Sequence, residues 1–179
     1  LDKQTSRALL EQDYCYHKIE ESAREAVFED AWKVGEETAW RFLDSRSLPA
    51  HISFPDILQE NGIAIKYFDK DYIVTNRRYF CELYPKEKKE YIYTKSVRIW
   101  CENNGFEFEE GLNILLSHEY FHYLEWHEIG LTSKRYLVPM LQLGKLRLGK
   151  TGIAALSEIG ANAFADTCYM YMNRPPSIS

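Results

Sequence analysis

Two histidines and a glutamate stand at the spacing of a metal site. The segment Ser117-His118-Glu119-Tyr120-Phe121-His122 contains the pattern H-E-x-x-H. On a helix, residues four apart share one face about a turn apart, so both imidazoles can reach a single ion. Glu119 lies about 100° round the helix from His118. In this pattern such a glutamate serves the attacking water rather than the metal. Zinc held this way needs a third protein ligand and one open coordination position. The chemistry that follows is hydrolysis, with the ion as Lewis acid and Glu119 as general base and then acid.

Four residues compete to be the third ligand. His127 and Glu128 lie just beyond the second histidine. The longer metzincin pattern asks for Gly at 125 and His at 128, and the chain has Glu125 and Glu128 there, which excludes it. Glu125 falls on the histidine face. Three successive turns of one helix do not easily surround one ion, so Glu125 reads as a supporting or solvated group. Glu158 lies on a later helix and can approach from another side. Asn162, four residues on, shares its face, and its amide oxygen could accept the outer ring N–H of a ligand histidine. The bland alternative is a pair of ordinary helix histidines and a surface glutamate.

These residues need helices to carry them and a core to hold the helices. From Glu107 to about Trp126 the chain reads as a helix, with Glu107, Glu109 and Glu110 suited to its positive end. Leu112, Leu116, Tyr120, Tyr123 and Leu124 fall opposite His118, so one face packs inward and the other lines a cleft. Thr151 to about Met172 reads as the final helix, closed by Pro175-Pro176. There Ile153, Leu156, Ala163 and Phe164 oppose Glu158, and Ala155, Gly160, Ala161 and Ala165 permit close helix approach. Residues 5–45 read as one or two helices, from Leu9, Ile19, Ala23, Ala26, Phe28, Trp32, Thr38, Ala39 and Phe42, ended at Leu48-Pro49. Phe54 to Glu60 reads as a short helix stopped by Gly62. Segments 63–68, 77–84 and 90–94 are rich in aromatic and β-branched residues and form a small, mostly antiparallel sheet. Ser96 to Cys101 extends a strand or starts a helix, and Asn103-Asn104-Gly105 is a loop. An extended substrate could pair with an edge at 77–84 or 90–94, unless the N-terminal helices cover it.

The fold class is therefore α+β, in a single domain over 1–179. It divides into a helical part (1–50), a small sheet (51–104) and the metal-site helices (105–179). The chain is 45% hydrophobic and 27% charged, an ordinary globular balance that excludes disorder, collagen and coiled coil. No apolar run approaches the roughly 18 residues of a membrane span. With 22 basic and 27 acidic residues the net charge is -5, which argues against direct nucleic-acid binding. Cys15, Cys81, Cys101 and Cys168 make no C-x-x-C pair and read as reduced thiols of a cytoplasmic protein. The first residue is Leu1, so the sequence reads as a processed or trimmed chain. Residues 129–157 carry Lys134, Arg135, Lys145, Arg147 and Lys150 and no acidic residue. They form either a mobile flap that meets an acidic partner or, the favoured reading, a solvated connection. In the latter Tyr136, Leu137, Met140, Leu141 and Leu143 pack on the core.

H-E-Y-F-H at 118–122 followed by E-I-G-A-N-A-F-A at 158–165 resembles the ImmA/IrrE-type metallopeptidases, a gluzincin-like family. Their pattern is H-E-x-x-H and then a motif close to E-x-E-A-N-x-F-A. The match falls on His118, Glu119, His122, Glu158, Ala161, Asn162, Phe164 and Ala165. Residues 168–175 are similar to the apolar-then-Pro tail that often follows. The chain departs from the pattern at Gly160, where the family has a second acidic residue, and at Phe121, where it often has Gly. The stretch between His122 and Glu158 is also longer than usual. The resemblance implies a zincin-like fold and a Zn²⁺ site of His118, His122 and Glu158 with Glu119 catalytic. It also implies a peptide or protein substrate: a helix-turn-helix, DNA-binding repressor cut at one site in a mobile element or stress response. The alternative is a non-catalytic protein-binding module with a structural or empty metal site.

Overall fold

The computed structural model describes residues 2–46, 51–143 and 146–173; the side chains of 142, 143, 146 and 147 are also left aside. Leu48-Pro49, Lys145 and Pro175-Pro176, and the side chains of Leu143 and Arg147, lie outside what is described.

Asp2 opens the first helix, α1 (Lys3–Gln12), by accepting the Thr5 N–H on its carboxylate. The long α2 (Arg24–Ser45) buries Val27, Phe28, Ala31, Trp32, Ala39, Phe42 and Leu43 along one stripe. Ala26 faces solvent. Ser53 caps α3 (Phe54–Glu60), and Gly62 (φ +74°) turns the chain into β1 (Ala64–Phe68). A β-hairpin of β2 (Tyr72–Val74) and β3 (Arg77–Tyr79) follows, then β4 (Cys81–Tyr84) and β5 (Lys89–Tyr93).

The expected strands stand in place, and three of the four described pairings are antiparallel; the parallel one, β1 with β5, was not foreseen. Segment 77–84 breaks at Phe80 into β3 and β4, and β2 arises where no strand was read. The main sheet runs β1-β5-β4, with β1 parallel to β5 and β4 antiparallel to it. All other described pairs are antiparallel. Ser96–Cys101 is helical, inside α4 (Thr94–Asn104), which takes in Asn103 and Asn104; only Gly105 (φ +74°) leaves the helix.

The helix that carries H-E-x-x-H is α5 (Phe108–Leu124), continued by a π-helical turn over Glu125–Ile129. A hairpin of β6 (Val138–Leu143) and β7 (Leu146–Thr151) leads to α6 (Ala154–Met172). In that hairpin Val138 is buried and Tyr136 packs partly on the core. Leu137, Met140 and Leu141, expected to pack there, are exposed. The reason is geometric: a two-stranded ribbon standing off the body can bury residues only near its base.

Two contiguous cores hold the site helices. One joins α2, α3, the sheet, α5 and the later half of α6; the other joins α1, α2 and the start of α6. Helices α2 and α6 touch backbone to backbone: a Cβ at Gly35 would stand 2.1 Å from the Gly160 carbonyl oxygen. The face of α5 read as inward is buried at Leu112, Leu116, Tyr120, Tyr123 and Leu124, and that of α6 at Ile153, Leu156, Ala163 and Phe164. All four cysteines are buried and unpaired. No helix among the described residues is long and apolar enough to cross a membrane.

Candidate metal centre

Helices α5 and α6 pack against each other and bring His118, His122 and Glu158 to one point. The two Nε2 atoms are 3.3 Å apart. Glu158 reaches His118 Nε2 with Oε2 at 3.3 Å and His122 Nε2 with Oε1 at 3.5 Å. Zinc bonds of roughly 2.0–2.1 Å set the edges of a tetrahedron at roughly 3.3–3.4 Å. Each imidazole thus stands near tetrahedral-edge distance from the other and from one of the two Glu158 oxygens, one donor atom of each residue lies within 4.8 Å of the others, and the nitrogen–nitrogen–oxygen donor set suits that ion.

The outer ring nitrogens settle which nitrogens face inward. Asn162 donates its amide N–H to Ser6 Oγ at 3.0 Å, so its amide oxygen, 3.0 Å from His118 Nδ1, accepts. His122 Nδ1 donates to Glu125 Oε2 at 2.9 Å. In each neutral ring the proton is therefore held on Nδ1, and Nε2 is the nitrogen presented to a metal.

Of the two readings of Glu125, supporting group or solvated, the structure shows the first: it is 3% exposed and bonded to His122. Its Oε1 accepts the Thr132 backbone N–H at 2.7 Å and the Ser157 hydroxyl at 2.8 Å. Ser157 Oγ in turn accepts the Ser133 N–H. Its position three residues after His122, on the same face, was the available signal. Ser6 on α1 is fully buried behind Asn162 and carried no signal at all. Asp13, also from the N-terminal region, accepts the Ala155 N–H at 2.9 Å and so caps α6, whose own N-cap residue Ile153 supplies no side-chain cap.

The charges follow from these contacts. Burial opposes a charge on His122, but the hydrogen bond to Glu125 and the carboxylates of Glu119 and Glu158 outweigh it and lift the imidazole to about 9. Burial opposes ionisation of Glu158 as well; the two histidines and Arg77 win and hold it at about 2. Its side chain is 52% exposed toward the cleft.

That cleft, about 780 Å³, is bounded by α1, the β2–β3 hairpin, β4, α5 and α6. Glu119 lines it beside His118, His122 and Glu158. So do Phe80, Cys81 and Glu82, which makes β4, an edge of the main sheet, the strand beside the site; the other proposed edge, at 90–94, is the central β5. Tyr79 and Arg77 also line the cleft. His127 does not: it stacks on Tyr123 and bonds to the Tyr123 carbonyl. Glu128 is exposed. Among the described residues the β6–β7 hairpin contributes nothing to the cleft wall, and Arg135 is tied to Asp30 on α2 at 2.7 and 2.9 Å.

Gly160 and Phe121 meet in space. A Cβ at Gly160 would stand 2.8 Å from Phe121 Cζ, so the ring at 121 fills the room that a side chain at 160 would take. Comparison with protein-family models, with curated proteins and with solved structures finds no match to this chain.

Proposed function

We propose that the chain is a zinc-dependent peptidase of zincin-like fold that hydrolyses a peptide bond in an extended segment of a protein. The observation that carries the proposal is the triangle of His118, His122 and Glu158. The two Nε2 atoms are 3.3 Å apart, the two Glu158 oxygens stand 3.3 Å from one and 3.5 Å from the other, both outer nitrogens are engaged, and the side toward the cleft is open. A zinc ion held there would supply Lewis acidity, polarising the scissile carbonyl and making the attacking water more acidic.

The chain's own residues do the rest. Glu119, in the cleft wall one residue from a ligand, takes the proton of the attacking water and returns it to the leaving amine. The edge of β4 offers backbone N–H and C=O groups to an extended substrate, which fixes the scissile bond against the site. Asn162 and Glu125 hold the two imidazoles in one tautomer. The likeness of 118–122 and 158–165 to the ImmA/IrrE motifs supports a helix-turn-helix repressor as the substrate protein.

The test combines metal analysis with a cleavage assay on a library of unstructured peptides. Wild type binds one zinc and cuts. Glu119→Gln keeps the zinc and loses 10²-fold or more in rate, about the size of a general-base contribution. His122→Ala loses the zinc. A zinc-loaded wild type that cuts nothing, or a Glu119→Gln protein that turns over normally, would replace this reading with a protein-binding module.

A further inference from the structure

Most charged side chains on the cleft wall are already bonded. Asp13 accepts the Cys15 N–H on one carboxyl oxygen and the Ala155 N–H on the other. Glu82 accepts the Tyr93 hydroxyl. Arg78 is held by Asp71 through bonds of 2.7 and 3.0 Å. Glu158 stands against the two histidines. Two charges of this wall have no hydrogen bond or ion pair among the described residues: Glu119, the base of the peptidase reading, and Arg77 on β3.

The hairpin fixes the place of Arg77, which is exposed. In register Tyr79 lies opposite Tyr72 and Arg77 opposite Val74. The base of this hairpin is pinned to α4. The Tyr72 N–H donates to Ser96 Oγ at 2.9 Å, the Ser96 hydroxyl donates to Asp71 at 2.9 Å, and Asp71 holds Arg78. The Tyr72 ring lies 5.6 Å from that of Tyr79 and 4.4 Å from that of Tyr93, centroid to centroid. The strand is therefore held while the guanidinium beside it is left free. Arg77 also stands close enough to Glu158 to help hold that carboxyl ionised.

We propose that Arg77 is a specificity residue that binds a carboxylate side chain of the substrate, an Asp or Glu close to the scissile bond. Its part in cleavage rests on the peptidase reading; its binding of an acidic peptide does not. A guanidinium presents a planar fork of N–H donors that matches a carboxylate with two parallel bonds. Glu119 and Glu158 repel such a group, so the uncommitted cation on β3 is the side chain of this wall that attracts it. A fork on a pinned strand gives up little freedom on binding, which favours a selective contact over a loose one.

Peptide pairs that differ only by Glu against Gln at one position test this. Binding is measured on the zinc-loaded Glu119→Gln chain and cleavage on zinc-loaded wild type. At one or two positions the acidic member should bind about tenfold more tightly, the size of one charge-assisted hydrogen bond. Adding Arg77→Gln should bring the pair to equality, and adding Arg77→Glu should turn the preference toward a peptide with Lys at that position. Thermal unfolding should not move, since Arg77 is exposed and bonded to nothing among the described residues. Three results overturn the proposal: equal affinity within every pair, an acidic preference that survives Arg77→Gln because the zinc itself takes the carboxylate, or a fall in cleavage rate in Arg77→Gln that is equal for acidic and neutral peptides. If binding behaves as stated and wild type cuts nothing, the carboxylate site stands and the peptidase reading falls. If peptides are cut with no acidic preference, the reverse holds.

Discussion

Replacing Glu125 by Gln and by Ala separates its two roles. In wild type one oxygen accepts from Thr132 N–H and Ser157 O–H, and the other accepts from His122 Nδ1–H. Glutamine has one acceptor and one donor. If its oxygen stays with Thr132 and Ser157, its NH₂ faces the His122 Nδ1–H, and two donors oppose each other. The ring must then move its proton to Nε2, the atom that faces Glu158 and His118, and that proton competes with metal. Outer-shell partners of ligand histidines contribute about 10–100-fold in affinity. Zinc affinity of Glu125→Gln should fall by that factor while the fold loses little. Alanine removes all three acceptor contacts. It leaves the Thr132 N–H and Ser157 O–H unpartnered in the interior, and each buried unpaired donor costs about 1–3 kcal/mol. Glu125→Ala should therefore lose zinc affinity and also about 2–5 kcal/mol of stability. Competition titration against a chelator gives the affinity; urea unfolding of the metal-free chains gives the stability. Wild-type zinc affinity in Glu125→Gln would refute the tautomer argument outright.

Three further outcomes follow from the same contacts. His122 is held at about 9 without metal, so at pH 7 zinc must displace its proton, and calorimetry in buffers of different ionisation enthalpy should read that proton released. Gly160→Ala would place a Cβ 2.8 Å from Phe121 Cζ, an overpacking that costs about 1–3 kcal/mol, and adding Phe121→Leu should recover part of the loss in thermal unfolding. Glu90 on β5 is 0% exposed with neither carboxyl oxygen hydrogen-bonded, and burial raises its folded pKa above its unfolded value, so the native state holds the extra proton, and wild-type stability falls as pH climbs from the ordinary glutamate range toward the raised one. Glu90→Gln removes that slope: it should match wild type near pH 4 and exceed it near pH 8, and an equal gap at both values would contradict a protonated Glu90.

The ligand set was legible because helical spacing is a property of the sequence. His118 and His122 share a face by arithmetic, and Glu158 with Asn162 repeats the arithmetic on a second helix. The apolar faces of α5 and α6 were readable for the same reason. Long-range pairing was not. The parallel partnership of β1 with β5 depends on the chain returning through three strands and their turns, which residue types at 64–68 and 89–93 do not encode. The β6–β7 ribbon looked like a connection because its apolar residues follow no strand period that a core would enforce. Glu125 stayed open between supporting and solvated because a helical wheel shows the face of a residue and not what the next turn of chain folds over it; Thr132 and Ser157 close that space. Ser6 and Asp13 were silent, since a serine and an aspartate in an acidic N-terminal helical region look like surface until α6 lies on them.

The supports of the two imidazoles come from separate parts of the chain, and this bears on how the site assembles. His118 is set by Asn162, and Asn162 by Ser6 on α1. His122 is set by Glu125, and Glu125 by the backbone at 132 and the hydroxyl of Ser157, just inside α6. Gly152 belongs to the second support: a Cβ there would stand 2.2 Å from the Ser133 carbonyl oxygen, so only glycine lets the end of β7 pass this loop. Helix α6 thus meets α1 on one side and the 131–135 loop on the other, and Glu158 lies between the two contacts. The H-E-x-x-H helix could fold locally with both rings free to turn. Ordering them needs α1 and the 131–135 loop to dock on α6, and the same docking delivers the third ligand. Ring orientation and the arrival of Glu158 are therefore one event, so full metal affinity and the tertiary fold should be gained or lost together.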